Sequence, residues 1–171
     1  MIDFQKLGVK DIAPLRKISI QTFLESHGHS AAEEDVSIYQ RYAFAQKKLE
    51  EELLDSENLF YGLIKGHEMI GYSKIILNKP YSKKMSIDSC KMERIYILKE
   101  YYGSGLGQDL FDFNIKLTKE NKQSNLWLYT WIENKRAVQF YLKNGFKIID
   151  RADFKLSSNH SNPNYIMLLN I

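Results

Sequence analysis

Three glycines spaced two apart, Gly103, Gly105 and Gly107, form the stretch whose residue types and spacing most plainly suit chemistry. They follow the β-branched and aromatic run Arg94-Ile95-Tyr96-Ile97-Leu98, which reads as a strand. They precede Gln108-Asp109-Leu110, which opens a helix. Glycine admits positive φ and lets a ligand approach with no Cβ in the way. Such a turn points several N–H groups at one spot, and the following helix adds the positive end of its dipole. The chemistry that fits is capture of a phosphorylated ligand. A dinucleotide site wants Gly-x-Gly-x-x-Gly early in the chain and an acidic residue ~20 positions on. Here the spacing is Gly-x-Gly-x-Gly, and Trp127-Leu128-Tyr129-Thr130 stands where the acid should be. A P-loop would need Gly-Lys-Ser/Thr after the glycines, which is missing. On the glycines alone, a tight turn that holds no ligand stays open.

Other residues with chemical potential point less clearly. His27-x-His29 lacks a third ligand at a recognisable spacing, so no metal is assigned. Cys90 has no histidine partner visible in the sequence and reads as a small buried residue.

The elements that must position the turn can be read in order. Asp3 to Val9 alternates loosely as a first strand. Asp11 caps a helix with Pro14 in its first turn, and Ile12, Leu15, Ile18, Ile20 and Phe23 give that helix an apolar side. Ser30-Ala31-Ala32-Glu33 has the form of a capping box for a second helical stretch, with a break near Ala45. Asn58 to Ile64 and Met69 to Leu77 form a hairpin around Lys65-Gly66-His67-Glu68. Asn78 to Asp88 is an exposed loop, and Ser89 to Leu98 is the strand that enters the glycine turn. The helix after the glycines, then a strand over Leu126 to Trp131, complete a βαβ unit, so the two flanking strands should run parallel. A short helix from Asn134 ends at a C′ glycine, Gly145. Phe146 to Leu156 and Tyr165 to Leu169 close the chain as an antiparallel pair joined by a polar loop that contains Pro163.

Composition sets outer limits. The 171 residues suit one domain with a proper core. Hydrophobic content of 44% with 26% charged residues is ordinary for a soluble protein. The net charge of +3 comes from interspersed basic and acidic residues, which gives no warrant for a nucleic-acid or membrane-surface partner. No apolar run approaches the ~18 residues of a spanning helix. One cysteine excludes an internal disulfide and, with no signal peptide, predicts a cytoplasmic protein.

Two segments together carry a resemblance. Glu93 to Leu110, followed by Trp131-x-x-Asn134-x-x-Ala137-x-x-Phe140-Tyr141-x-x-x-Gly145-Phe146, resembles the GCN5-related N-acetyltransferases (GNAT). Met92-Glu93-Arg94-Ile95-Tyr96-Ile97 and Leu126 to Asn134 look most like the bacterial PaiA-type polyamine acetyltransferases. The resemblance implies an α/β fold over residues 1–171 as one acetyltransferase domain. A mixed central sheet, with its parallel strands splayed apart, would be flanked by about four helices. It implies acetyl-CoA as co-substrate, no metal, and a small-molecule amine as acceptor, with a homodimer left open.

By the same resemblance, N–H groups from Tyr102 through Gly103, Ser104, Gly105, Leu106 and Gly107 hold the CoA pyrophosphate, with Gln108 at the edge of the cradle. The pantetheine arm lies along Ile95, Tyr96 and Ile97, and Asn134 bonds it from the other side. Tyr102 stands where the family usually has Arg or Gln. Tyr141 matches the tyrosine that protonates the departing thiolate; packing is its plain alternative.

The acceptor amine, with a pKa of about 10.4, must lose a proton before it attacks. Glu93, in a strand that should be central, is the candidate base, directly or through water; an ion pair is its plain alternative. Glu33, Glu34 and Tyr39, with Glu93, are expected to hold the acceptor, although acids in a first turn also serve ordinary capping. A polyamine such as spermidine or spermine is the expected acceptor. Protein N-terminal or lysine acetylation, or a CoA-binding regulatory module without turnover, are the competing readings.

Overall fold

The computed structural model describes residues 2–171. Within that range, strands β1 (Ile2–Lys6), β2 (Asn58–Lys65), β3 (Glu68–Ile76), β4 (Ser89–Ile97), β5 (Asn125–Trp131), β6 (Lys147–Lys155) and β7 (Ser161–Asn170) form one sheet in the order β1-β2-β3-β4-β5-β7-β6. β4 and β5 run parallel, as the βαβ reading requires, and the other neighbours are antiparallel. The helices are α1 (Ile12–His27), α2 (Glu33–Ala43), α3 (Gln46–Leu54), α4 (Leu106–Glu120) and α5 (Lys135–Lys143). The expected four become five among the described residues because the second helical stretch breaks at Phe44, as the sequence suggested near Ala45; Ala45 takes an extended ψ of 137°.

Each helix is placed by an apolar stripe. In α1 the buried set Leu15, Ile18, Ser19, Thr22 and Phe23 recurs at helical spacing. One hydrophobic cluster joins α1, α2 and α3 to the hairpin through residues such as Leu15, Val36, Leu49, Phe60 and Tyr72. A second joins α4 and α5 to the sheet through Cys90, Phe111, Leu128, Tyr141 and Phe146. Two capping expectations change. Asp11 stands at the N-cap of α1, but its carboxylate accepts the N–H of Gly8 at 2.9 Å. Ala32, not Ser30, caps α2, and Ser30 Oγ accepts from Asn162 Nδ2 at 2.8 Å. Pro163 also moves from the expected loop into β7, opposite Asp153 of β6.

The feature that makes a site is a failure of pairing. β4 and β5 are in register only at Ser89–Asn125, Cys90–Leu126 and Lys91–Trp127. Beyond Lys91, β4 continues beside β3 while β5 continues beside β7, so the two strands part. The register against β3 passes from Lys74–Arg94 to Ile75–Met92, which leaves Glu93 as the extra residue of a bulge. A bulge bends its strand and raises the local twist, and this one sits where β4 leaves β5.

The acceptor side of β4 is anchored by buried charge. Glu52 of α3 pairs with Lys74 of β3 at 3.0 Å and with Arg94 of β4 at 3.2 Å, and both cations are almost wholly buried. Burial, with the repulsion of Arg94, holds the Lys74 amine below the ordinary lysine range, while Glu52 opposes that fall. Arginine cannot escape by losing its proton. Replacing Glu52 with Ala should therefore cost about 3–5 kcal/mol in chemical denaturation. A loss under about 1 kcal/mol would show that solvent already neutralises the pair.

Candidate active site

A cavity of about 350 Å³ fills the gap between β4 and β5. At one end is the glycine turn. Gly103 and Gly105 have φ of +78° and +88°, and Gly105 is the left-handed N-cap of α4. Among the described residues the N–H groups of Gly103, Gly105 and Gly107 have no protein acceptor, whereas those of Tyr102, Ser104 and Gln108 are used within the turn. Three free amides at a helix N-terminus fit the two phosphates of a CoA pyrophosphate. Ser104 donates to Tyr101 O at 2.6 Å, and neither it nor Leu106 lines the cavity. Gln108 does line it. Its amide exchanges two hydrogen bonds with Asn144 at 2.8 and 3.2 Å, which joins α4 to the end of α5.

Arg136 of α5 answers the departure at Tyr102. Its guanidinium lies 3.6 Å from the Tyr102 ring centre, and both residues line the cavity. A cation thus reaches the mouth of the cradle from α5, carried on the ring that replaces the expected polar side chain. Arginine flat on a ring keeps its outward N–H donors available for phosphate oxygens.

The strand edge follows. Leu98 N–H donates to Ile70 O of β3 at 2.9 Å. In an antiparallel pair alternate residues face the same neighbour, so the backbone groups of Ile95 and Ile97 face away from β3, into the gap. Tyr96 lines the cavity with them. Asn134 lies across the gap; its side chain accepts the Ala137 N–H at 3.2 Å as the N-cap of α5, which leaves its amide donors for a ligand.

Beside this edge stands Tyr141, buried in the wall. No hydrogen bond joins its hydroxyl to another described residue, and burial pushes its pKa well up against the opposing effect of Arg136. It is a protonated phenol at neutral pH, fitted to donate. Glu93 also reaches the cavity, but Lys91 holds its carboxylate at 2.6 Å. Burial favours its protonation; the charge and hydrogen bond of Lys91, with Lys74 and Arg94, outweigh that and keep it below the carboxylate range. A carboxylate so paired attracts an ammonium better than it takes a proton. Tyr39 lines the far end, stacked on Phe23 at 4.6 Å. Glu33 and Glu34 do not line it; they stand exposed on the first turn of α2. Glu25, another acid of that region, accepts the Lys99 N–H at 2.7 Å.

The cavity also gathers residues to which the sequence assigns no role in the site, among them Lys91, Arg136 and Trp131. Among the described residues His27, half of the His-x-His pair, belongs to the cavity rather than to a metal site. It lines the cavity, stacked on Phe23 at 4.9 Å and facing Trp131 at 6.0 Å.

Comparison with known proteins decides the family. The profile of the acetyltransferase (GNAT) domain matches residues 56–148. The chain belongs to the GNAT acetyltransferase family. An uncharacterized N-acetyltransferase of Lactobacillus delbrueckii subsp. lactis is 30% identical over 82% of this chain and 81% of its own. The spermidine N(1)-acetyltransferase of Thermoplasma acidophilum is 27% identical over 90% of this chain and 94% of its own. Among solved structures, the PaiA N-acetyltransferase of Thermoplasma acidophilum in complex with coenzyme A superposes with a TM-score of 0.83. It is 22% identical, with 100% of this chain and 99% of that one covered. The GNAT fold expected from sequence, splayed strands included, is the fold observed.

The state of His27 yields a prediction for this GNAT domain. Burial, then His29, lowers its pKa to about 4 from an ordinary 6.5. The unfolded chain therefore takes up this proton at a higher pH than the folded one. Stability from this group is complete above about 6.5 and falls by about 3 kcal/mol as the pH drops to about 4. The Glu93 carboxylate adds its own loss at lower pH in every variant, so comparison cancels it. Denaturant midpoints for wild type and His27→Gln should converge as the pH falls through that window. Parallel curves would contradict the assignment.

Proposed function

We propose that residues 1–171 act as one acetyl-CoA-dependent N-acetyltransferase domain whose acceptor is the primary amine of a polyamine such as spermidine. The observation that carries the reading is continuity. One cleft runs from three unpartnered glycine amides, past an unpaired strand edge and a buried phenol, to an end walled by Phe23, Tyr39, Tyr96 and Trp131.

Gly103, Gly105, Gly107 and Arg136 hold the pyrophosphate. Ile95 and Ile97 bind the pantetheine arm through their backbone, and Asn134 through its amide. Acetyl-CoA supplies the acetyl group as a thioester, whose sulfur leaves as a thiolate with a conjugate acid of pKa about 8.5. Tyr141 gives that sulfur its proton. Glu93, ionised at neutral pH, draws the acceptor ammonium to the rings, whose faces suit a cation.

The polyamine acceptor is supported by the spermidine-acetylating relative; Glu33 and Glu34 stand outside the cavity on α2. A small acceptor rather than a polypeptide is supported by two ties across the acceptor end. Asn162 donates to Ser30 Oγ, and Ser157 donates to Asp35 at 2.5 Å, which binds the α1–α2 connection and the first turn of α2 to the β6–β7 hairpin. The lone buried Cys90 suits a reducing cytoplasm. Among the described residues no helix is long and apolar enough to cross a membrane.

Mixed with acetyl-CoA, the protein should release free thiol when spermidine is added. Tyr141→Phe should lower kcat by about 100-fold and leave CoA affinity unchanged. Thiol release with N-terminal peptides but not with polyamines would replace the acceptor; none with any amine would remove the enzymatic reading.

A further inference from the structure

His27 ends α1 inside the acceptor end of the cleft, and its hydrogen bonds fix where its proton sits. Its Nδ1 lies 2.7 Å from Ser26 Oγ. The same Oγ lies 2.7 Å from Thr22 O and 3.3 Å from Phe23 O. Carbonyl oxygens only accept, and a serine hydroxyl has one proton to give. Ser26 spends that proton on the carbonyl of the preceding turn, so toward His27 its oxygen can only accept. Nδ1 therefore carries the imidazole proton. In the neutral ring Nε2 is left as an unprotonated lone pair, and among the described residues it has no hydrogen-bond partner.

The surroundings keep the ring neutral within the wall of the cavity. Phe23 stacks on one face, Tyr96 meets the ring edge-on at 6.2 Å, and Trp131 lies at 6.0 Å. The titratable groups near it are His29 on the following connection and Tyr96 on β4; Tyr39 of α2 and Glu93 of β4 share the cavity. His29 opposes a charge on His27, and the low pKa that results keeps the imidazole unprotonated through the neutral range. The site thus holds a protonated phenol on one wall, Tyr141, and an imidazole with an open lone pair on another.

We propose that Nε2 of His27 accepts the proton that the acceptor amine sheds as it is acetylated. The inference rests on the acetyl-transfer reading above. The acceptor ammonium first yields one proton to solvent; as the neutral nitrogen then bonds to the acetyl carbon, the carbon–sulfur bond breaks and its electron pair stays on sulfur. Tyr141 gives the sulfur a proton, and the nitrogen passes one of its own to His27. The two residues return to their resting states by exchange with water: His27 gives up a proton it holds weakly, and Tyr141 regains one. Glu93 keeps its charge throughout, which the Lys91 pair requires. Ser26 acts as a positioning residue, since it sets which nitrogen faces the amine.

Chemical rescue tests this in the full-length protein with spermidine and acetyl-CoA. His27→Ala should lower kcat by about 100-fold with CoA affinity by calorimetry unchanged, and added imidazole should restore turnover in proportion to its concentration. His27→Gln, which keeps a hydrogen-bond acceptor but cannot carry a proton, should stay slow with or without imidazole. A His27→Ala variant within threefold of wild type, or one that binds CoA normally yet ignores imidazole, would overturn the proposal. Nitrogen-15 NMR of the wild type gives a readout that needs neither variant nor turnover. It should show Nδ1 protonated and Nε2 bare at pH 7, with the Nε2 resonance moving on titration with spermidine. The opposite tautomer in an active enzyme would overturn the His27 assignment alone, whereas absence of turnover by the wild type would remove the acetyl-transfer reading itself.

Discussion

The parting of β4 from β5 after three paired residues is the constraint on which the rest of the molecule depends. Buried backbone groups without partners are expensive, so a sheet opens this way only if other contacts hold both strands. β3 holds β4 along its length, and β7 holds β5 from Asn125 to Trp131. The bulge at Glu93 bends β4 out of line at the point of departure. The Gln108–Asn144 pair then fixes α4 against α5 across the phosphate end of the gap. What remains is a rigid slot whose inner edge offers backbone donors and acceptors to a ligand instead of to a strand.

Within the slot, function follows from which groups are charged. Burial keeps Tyr141 a protonated phenol and His27 a neutral imidazole, while Lys91 keeps Glu93 ionised. Two physical origins are at work. Desolvation acts on the first two and disfavours charge on each. Desolvation also opposes charge on the third, but the short ion pair with Lys91 outweighs it. One donor, one acceptor and one fixed negative charge therefore coexist without exchanging protons at rest. Arg94, held by Glu52 behind the same wall, adds a cation that shares no direct bond with Glu93 and so leaves the Lys91 pair intact.

Much of this was legible in the residues, and the rest failed for identifiable reasons. Gly103, Gly105 and Gly107 suggested an anion cradle by type and spacing, but on the glycines alone a plain tight turn stayed open until the downstream segment was added. Tyr141 and Asn134 were legible only through their resemblance to a family, because Phe140-Tyr141 on a helix reads equally well as packing. The bulge at Glu93 could not be read, because a register shift belongs to the partner strand as much as to the strand itself. Ser30 and Pro163 misled because pairing overrode local pattern: Ser30 Oγ is taken by Asn162 from the other end of the chain, and Pro163 is drawn into β7 opposite Asp153 of the neighbouring strand. Arg136 lies 34 positions from Tyr102 in sequence, and only the folding of α5 over the turn brings them together. His27 was visible as half of a His-x-His pair, but its tautomer depends on a serine that α1 already occupies.

Hydrogen exchange at single amides tests the open-edge account most directly. Addition of CoA should slow exchange at Ile95, Ile97, Gly103, Gly105 and Gly107, whose N–H groups face the gap or the cradle, while β4 amides already bonded to β3 stay as they were. CoA binding that left those five amides exchanging at their free rates would contradict it.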